Sequence, residues 1–139
     1  MLKVFIDTNV LLDVLSERQP FVLDSKRIWA LAEAGTIAGY VSAVSFTTCW
    51  YLMRKHAGRP AAQQSLKSLR DIFTPVDLTA QVLQQALDAD SGDFEDAVQY
   101  HSAVHAGVQC IITRDSGHFP ATPVRILSPA GFLSAHSFE

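Results

Sequence analysis

Apolar residues follow two rhythms along this chain, and their alternation predicts the architecture. Residues 2 to 6, LKVFI, form a short, mostly apolar run of the kind that is buried on both faces of a parallel sheet. AGYVS at 38 to 42, CIIT at 110 to 113 and the stretch around VRIL read as further strands, and TPVD gives a short one at 74 to 77. Between them lie helical stretches over 8 to 16, 20 to 34, 44 to 57, 61 to 73, 79 to 89 and 94 to 107, then a short helix from Pro129. Pro20 stands near a first turn, and Gly35, Gly58 and Gly107 act as stops. Strands separated by helices imply parallel pairing through right-handed crossovers. The fold expected is α/β: a central, mostly parallel sheet of four to five strands with helices on both faces.

The length of 139 residues, 48% of them hydrophobic, suits one domain over 1–139 with a full core. No stretch approaches the roughly 20 unbroken apolar residues of a membrane span, and MLKVFID lacks a signal-peptide apolar region, so a cytoplasmic location is expected. Cys49 and Cys110 are far apart and outside metal-ligand spacing, and read as small buried hydrophobes. The net charge of −3 hides a segregation. Between Glu33 and Asp71 there is no acid, while Arg54, Lys55, Arg59, Lys67 and Arg70 fall there. From Asp71 to Asp96 the acids accumulate, with no Lys or Arg until Arg114. Such a division sets cations able to meet phosphate beside a carboxylate cluster, or is two solvated helix surfaces of opposite sign.

Open α/β sheets bind ligands at the edge where their strands end. Asp7 ends the first strand, and Asp115 lies just past the strand at 110 to 113. Asp93 and Asp96 open a helix that, at 1.5 Å per residue, spans about 21 Å and so crosses the sheet once. All four therefore stand at one edge. Singly, each aspartate is explained as a helix cap or turn residue. Together, they form a carboxylate cluster of the kind a divalent cation keeps ionised, and an all-oxygen set favours Mg2+ or Mn2+ over zinc. Such an ion supports phosphodiester hydrolysis.

These same segments carry a family resemblance. VFIDTNVLLDVL, DFEDAVQYHSAVHAGVQCIITRD and the closing VRILSPAGFL resemble PIN-domain proteins, in particular the VapC-like toxins, from end to end. The resemblance implies a PIN-like three-layer sandwich and a ribonuclease dependent on Mg2+ or Mn2+. It also implies RNA as substrate, a cognate antitoxin protein as partner, and a homodimer. By resemblance Asp7, Asp96 and Asp115 fall on the family's acidic metal-ligand positions, with Asn9 beside the first and Asp93 as an auxiliary catalytic residue, either a further ligand or an orienter of the water. An acid common in the helix after the second strand is replaced by Thr48, and one after Asp115 by His118. The alternative implied is a catalytically weak or inactive PIN module that binds nucleic acid or a protein partner. Asn9, Thr48 and Arg114 are the candidate substrate contacts, Arg114 alternatively being a surface cation paired with Glu95 or Asp93.

Other constellations carry less. His101 and His105 have the i, i+4 spacing of some zinc enzymes, yet rotate about 140° and 180° away from Asp96, and read as a partner-facing or solvated pair. Phe46, Trp50 and Met53 form a helical stripe suited to core or dimer contact. Neither a P-loop nor a G-x-S-x-G or G-x-G-x-x-G motif occurs.

Overall fold

The computed structural model describes residues 1–119 and 122–138; the side chain of His118 lies outside what it describes. In chain order the elements are β1 (Leu2–Ile6), α1 (Thr8–Leu15), α2 (Val22–Glu33), β2 (Ile37–Ser42), α3 (Ala43–Ala57), α4 (Arg59–Ile72) and β3 (Thr74–Val76). There follow α5 (Ala80–Asp88), α6 (Phe94–Ala106), β4 (Cys110–Ile112), a 3-10 turn at Ser116–His118, β5 (Arg125–Leu127) and α7 (Pro129–Ala135). The sequence places these boundaries to within about two residues. Small polar caps explain why: Asp7, Ser42, Thr79, Asp93 and Ser128 each accept a backbone N–H in the first turn of the helix that follows.

The five strands form one sheet in the order β3-β2-β1-β4-β5, with every neighbouring pair parallel. The expected parallel α/β sandwich is thus observed. Period-two alternation divides the core. Val4 and Ile6 of β1 and Cys110 and Ile112 of β4 join one apolar cluster with Leu11, Ile28, Cys49, Leu69 and Phe132, on the face covered by α1 to α4 and α7. Phe5 and Ile111 point to the opposite face, packing with Ala103 of α6 and with Phe119. The first two crossovers move outward from β1, and the third moves back across the sheet; keeping one handedness then puts α5 and α6 on the opposite face.

This order has a consequence for function. β1 lies between β2 and β4, so the chain leaves its carboxyl end in one direction while β4 flanks it from the other. That reversal opens a crevice between β1 and β4, the position where doubly wound sheets bind ligands. Asp7 N–H donates to the Ile112 carbonyl at 2.9 Å, holding the two strand exits side by side. Cys49 and Cys110 are both buried and unpaired with each other, and burial pushes their thiols up to about 12 and about 11, which leaves them inert.

Candidate active site

At the crevice, Asp7 ends β1 and caps α1 in the same step. One carboxylate oxygen, Oδ1, accepts from Thr8 N at 2.8 Å, and Oδ2 accepts from the Thr113 hydroxyl at 2.7 Å. The residue is only 5% exposed. Burial is the main reason its carboxyl rises from the ordinary 3.8 to about 6. The two hydrogen bonds, from Thr113 and Thr8, oppose that rise, and the negative charges of Asp96 and Glu95 add to it. Capping and site membership are therefore not rival accounts of Asp7. The cap fixes the carboxylate, and its neighbours load it electrostatically.

The loop leaving β4 is fastened to α1 at three consecutive residues. Thr113 bonds Asp7 as described, and its hydroxyl also accepts from Asp115 N at 3.1 Å. Arg114 donates from Nε to Asp13 Oδ2 at 2.8 Å. Asp115 Oδ2 accepts from Asn9 Nδ2 at 2.9 Å. Asp7, Asn9 and Asp13 are thus tied one by one to Thr113, Asp115 and Arg114, across roughly a hundred residues of sequence.

The Arg114 bond replaces the pairing with Glu95 or Asp93 that sequence allowed. Asp13 is wholly buried, whereas the arginine side chain keeps 22% of its surface exposed and lays its guanidinium over the Phe21 ring, 4.0 Å from the centroid. Burial raises the Asp13 carboxyl, and the charge and hydrogen bond of Arg114, then the charge of Arg18, pull it back. Sequence reasoning passed over Asp13, although an acid inside the apolar run VLLDVL demands a cation.

Asp93 caps α6, its Oδ1 accepting from Asp96 N at 3.1 Å, so it shapes the turn that presents Asp96. Beneath the carboxylates runs a buried hydroxyl chain. Thr8 Oγ1 and Ser45 Oγ are 2.7 Å apart, and Gln99 Nε2 reaches Ser45 at 3.5 Å, joining α1, α3 and α6. Thr48, one turn beyond Ser45, turns its hydroxyl back onto the Val44 carbonyl at 3.3 Å.

A family model described as the PIN domain matches residues 3–117. The chain belongs to the PIN domain family. Solved structures of toxins and toxin–antitoxin complexes share its fold. The toxin–antitoxin complex from Klebsiella pneumoniae superposes with a TM-score of 0.68 at 16% identity, over 91% of this chain and 97% of that one. VapC20 from Mycobacterium tuberculosis, a toxin that cleaves the sarcin–ricin loop, gives 0.62 at 20% identity over 78% and 86%. VapBC2 from Rickettsia felis, bound to a promoter DNA fragment, gives 0.66 at 13% identity over 91% and 98%. No curated protein matches the sequence.

The PIN topology brings Asp7, Asp93, Asp96 and Asp115 to one sheet edge, but it does not gather them equally. Among the described residues no three acidic, histidine or cysteine side chains stand as a ready-made metal cage. Asp7 is coupled electrostatically to Asp96, while Asp115 is turned onto Asn9. What fits a hard cation is the chemistry of the donors. They are carboxylates of one sign in a partly desolvated crevice, beside Asn9 Oδ1, which is buried and accepts no hydrogen bond.

One expectation is corrected. His101 does not face away, since together with Asp96, Ala97 and Tyr100 it lines a cavity of about 410 Å³. On a helical wheel those residues fall at 0°, 100°, 40° and 140°, so the cavity is centred between Asp96 and His101 instead of on Asp96. His105 leaves that face and meets Gln85 Oε1 of α5 at 2.9 Å. In the aromatic stripe, Met53 is buried, Phe46 packs against the main core, and Phe46 and Trp50 line a shallow surface hollow.

Proposed function

We propose that this PIN domain, spanning 1–139, is a Mg2+- or Mn2+-dependent endoribonuclease and the toxin of a toxin–antitoxin pair. Asp7, Asp96 and Asp115 are the residues that would hold the ion, with Asn9 adding a neutral oxygen. The observation that carries the reading is Asp7 itself. A carboxylate buried at the sheet's switch point, crowded by Asp96 and Glu95 and held in place by Thr113, is costly to keep ionised without a cation. When bound, a divalent ion would lower the pKa of a water and offset charge on the leaving oxygen of a phosphodiester.

The chain's own residues supply placement. Thr8 and Thr113 fix the Asp7 oxygens, Asn9 orients Asp115, and Asp93 sets the turn carrying Asp96. Arg114 serves as a tie to Asp13, and only its exposed remainder is available to a substrate phosphate. RNA as substrate, a cognate antitoxin as partner, a homodimer and a cytoplasmic location belong to the same proposal. The toxin–antitoxin complexes that share the fold support the antitoxin partner, and VapC20, described as a toxin that cleaves the sarcin–ricin loop, supports RNA as the substrate. None of the described helices is long and apolar enough to cross a membrane.

A PIN module that binds nucleic acid or protein without cutting is the second reading. It is favoured by Thr48, whose hydroxyl is spent on its own helix and brings no charge. Mn2+ titration by calorimetry, run beside RNA cleavage, separates the two readings. Binding by the parent that is lost in Asp7→Asn, together with cleavage, supports the nuclease; no binding at millimolar metal sinks it.

A further inference from the structure

The cavity beside Asp96 has a lining unlike the rest of the carboxylate edge. Its volume of about 410 Å³ falls in the range of small-ligand pockets. The rings of Tyr100, His101 and Phe119 line it together with two alanines, and Ser91 and Asp96 supply polar atoms. The rings are held in place. The Tyr100 hydroxyl and Thr122 Oγ1 lie 2.9 Å apart, and the Tyr100 and His101 rings meet edge to face at 5.1 Å. Burial, followed by the charge of His105, lowers the pKa of His101, so the imidazole is neutral near pH 7 and offers one donor and one acceptor. The Ser91 hydroxyl bonds the Asp93 carbonyl at 2.9 Å and keeps the rim folded against α6.

We propose that this cavity is a nucleobase subsite, which takes one unpaired base next to the phosphodiester held at Asp7 and Asp96. The inference rests on the ribonuclease reading and adds to it a determinant of where the RNA is cut. Continuity is the main argument, because Asp96 belongs both to the carboxylate edge and to the cavity wall. A nucleotide whose phosphate lies over the carboxylates has its own base, or the next one, within reach of the cavity. An unpaired base has flat apolar faces and a polar rim without net charge, which matches rings and alanines around a few hydrogen-bonding atoms.

The test uses a short single-stranded RNA carrying one 2-aminopurine, titrated in EDTA so that binding is read without cleavage. Its fluorescence should change on binding the parent, and affinity should fall about 5- to 100-fold in Tyr100→Leu, the loss expected when one stacked base is released. Ala89→Trp, at an exposed helix end, should plug the cavity and give a similar loss without disturbing the fold. Both variants should bind Mn2+ as the parent does, and an abasic RNA should bind parent and variants alike. Equal RNA affinity and an unchanged cleavage pattern in both variants would overturn the subsite while leaving the nuclease standing. Unchanged RNA binding with loss of a protein partner's binding would assign the cavity to that partner and overturn it as well. A parent that binds neither Mn2+ nor RNA removes both readings together.

Discussion

Replacing Asp7 by Asn should make the metal-free protein more stable at neutral pH, although it removes the central carboxylate. The folded Asp7 carboxyl sits at about 6 against an ordinary 3.8, mainly because it is buried. Between those values the native state binds more protons than the unfolded chain, so stability falls as pH rises through the window. Above about pH 6 the cost is complete. Below about pH 4 both states are protonated and it is absent. At about 1.4 kcal/mol per pH unit, the difference between the two values corresponds to roughly 3 kcal/mol.

Asn keeps the cap on Thr8 N through its carbonyl oxygen, but its amide then faces the Thr113 hydroxyl, which loses an acceptor worth about 1 kcal/mol. The net expectation is about 2 kcal/mol of stabilisation at pH 7.5, or roughly 5–10 °C in Tm, shrinking to zero or below at pH 4. Urea denaturation of both proteins in EDTA at the two pH values measures it. A variant that is less stable than the parent by the same amount at both values would refute the reasoning, because desolvation of the carboxylate could not then dominate. Added Mn2+ should reverse the order by stabilising only the parent.

Further outcomes follow from the surrounding contacts. Arg114→Leu should cost roughly 3 kcal/mol in urea denaturation, the low end for breaking a buried pair, because it strands the fully buried Asp13. Asp13→Leu in the same chain should recover much of that loss, and an additive double mutant would show the pair to be uncoupled. Gly39→Ala should destabilise by about 1–3 kcal/mol, since a Cβ there would lie 2.6 Å from the Phe73 ring; Phe73→Leu should relieve it in thermal melts. Thr48→Glu should tighten Mn2+ binding in calorimetry if the nuclease reading holds, and a weaker or unchanged affinity would place position 48 outside the ion's reach. Mn2+ affinity should also drop as pH falls below about 6, where Asp7 takes up its proton in competition with metal; a flat profile from pH 5 to 8 would exclude Asp7 as a ligand.

Much of the fold could be read in the sequence because its signals are local. The apolar run before Asp7, the glycine at 58 with its positive φ and the caps at Ser42, Thr79 and Ser128 each act within a few residues. Strand-end logic carried the candidate carboxylates to one edge for the same reason: a parallel sheet fixes where every strand exits, whatever the strand order. The missed features are those in which burial, not sequence neighbourhood, decides. Asp13 stands out in sequence as an acid within an apolar run, but which cation meets it is decided only by packing, which buries it fully and brings Arg114 from 101 residues away. His101 was misplaced because a wheel measured from Asp96 took the carboxylate edge as the whole site, whereas the lining of the cavity extends from Asp96 round to His101. Thr8 and Ser45 look like two helix-start hydroxyls in sequence, and only packing makes them one buried pair beneath the carboxylates. The candidate site residues read from sequence are therefore those at chain reversals, and the buried residues it passed over hold those reversals in register. Changing the second set should alter stability and alignment, while changing the first should alter charge and metal binding.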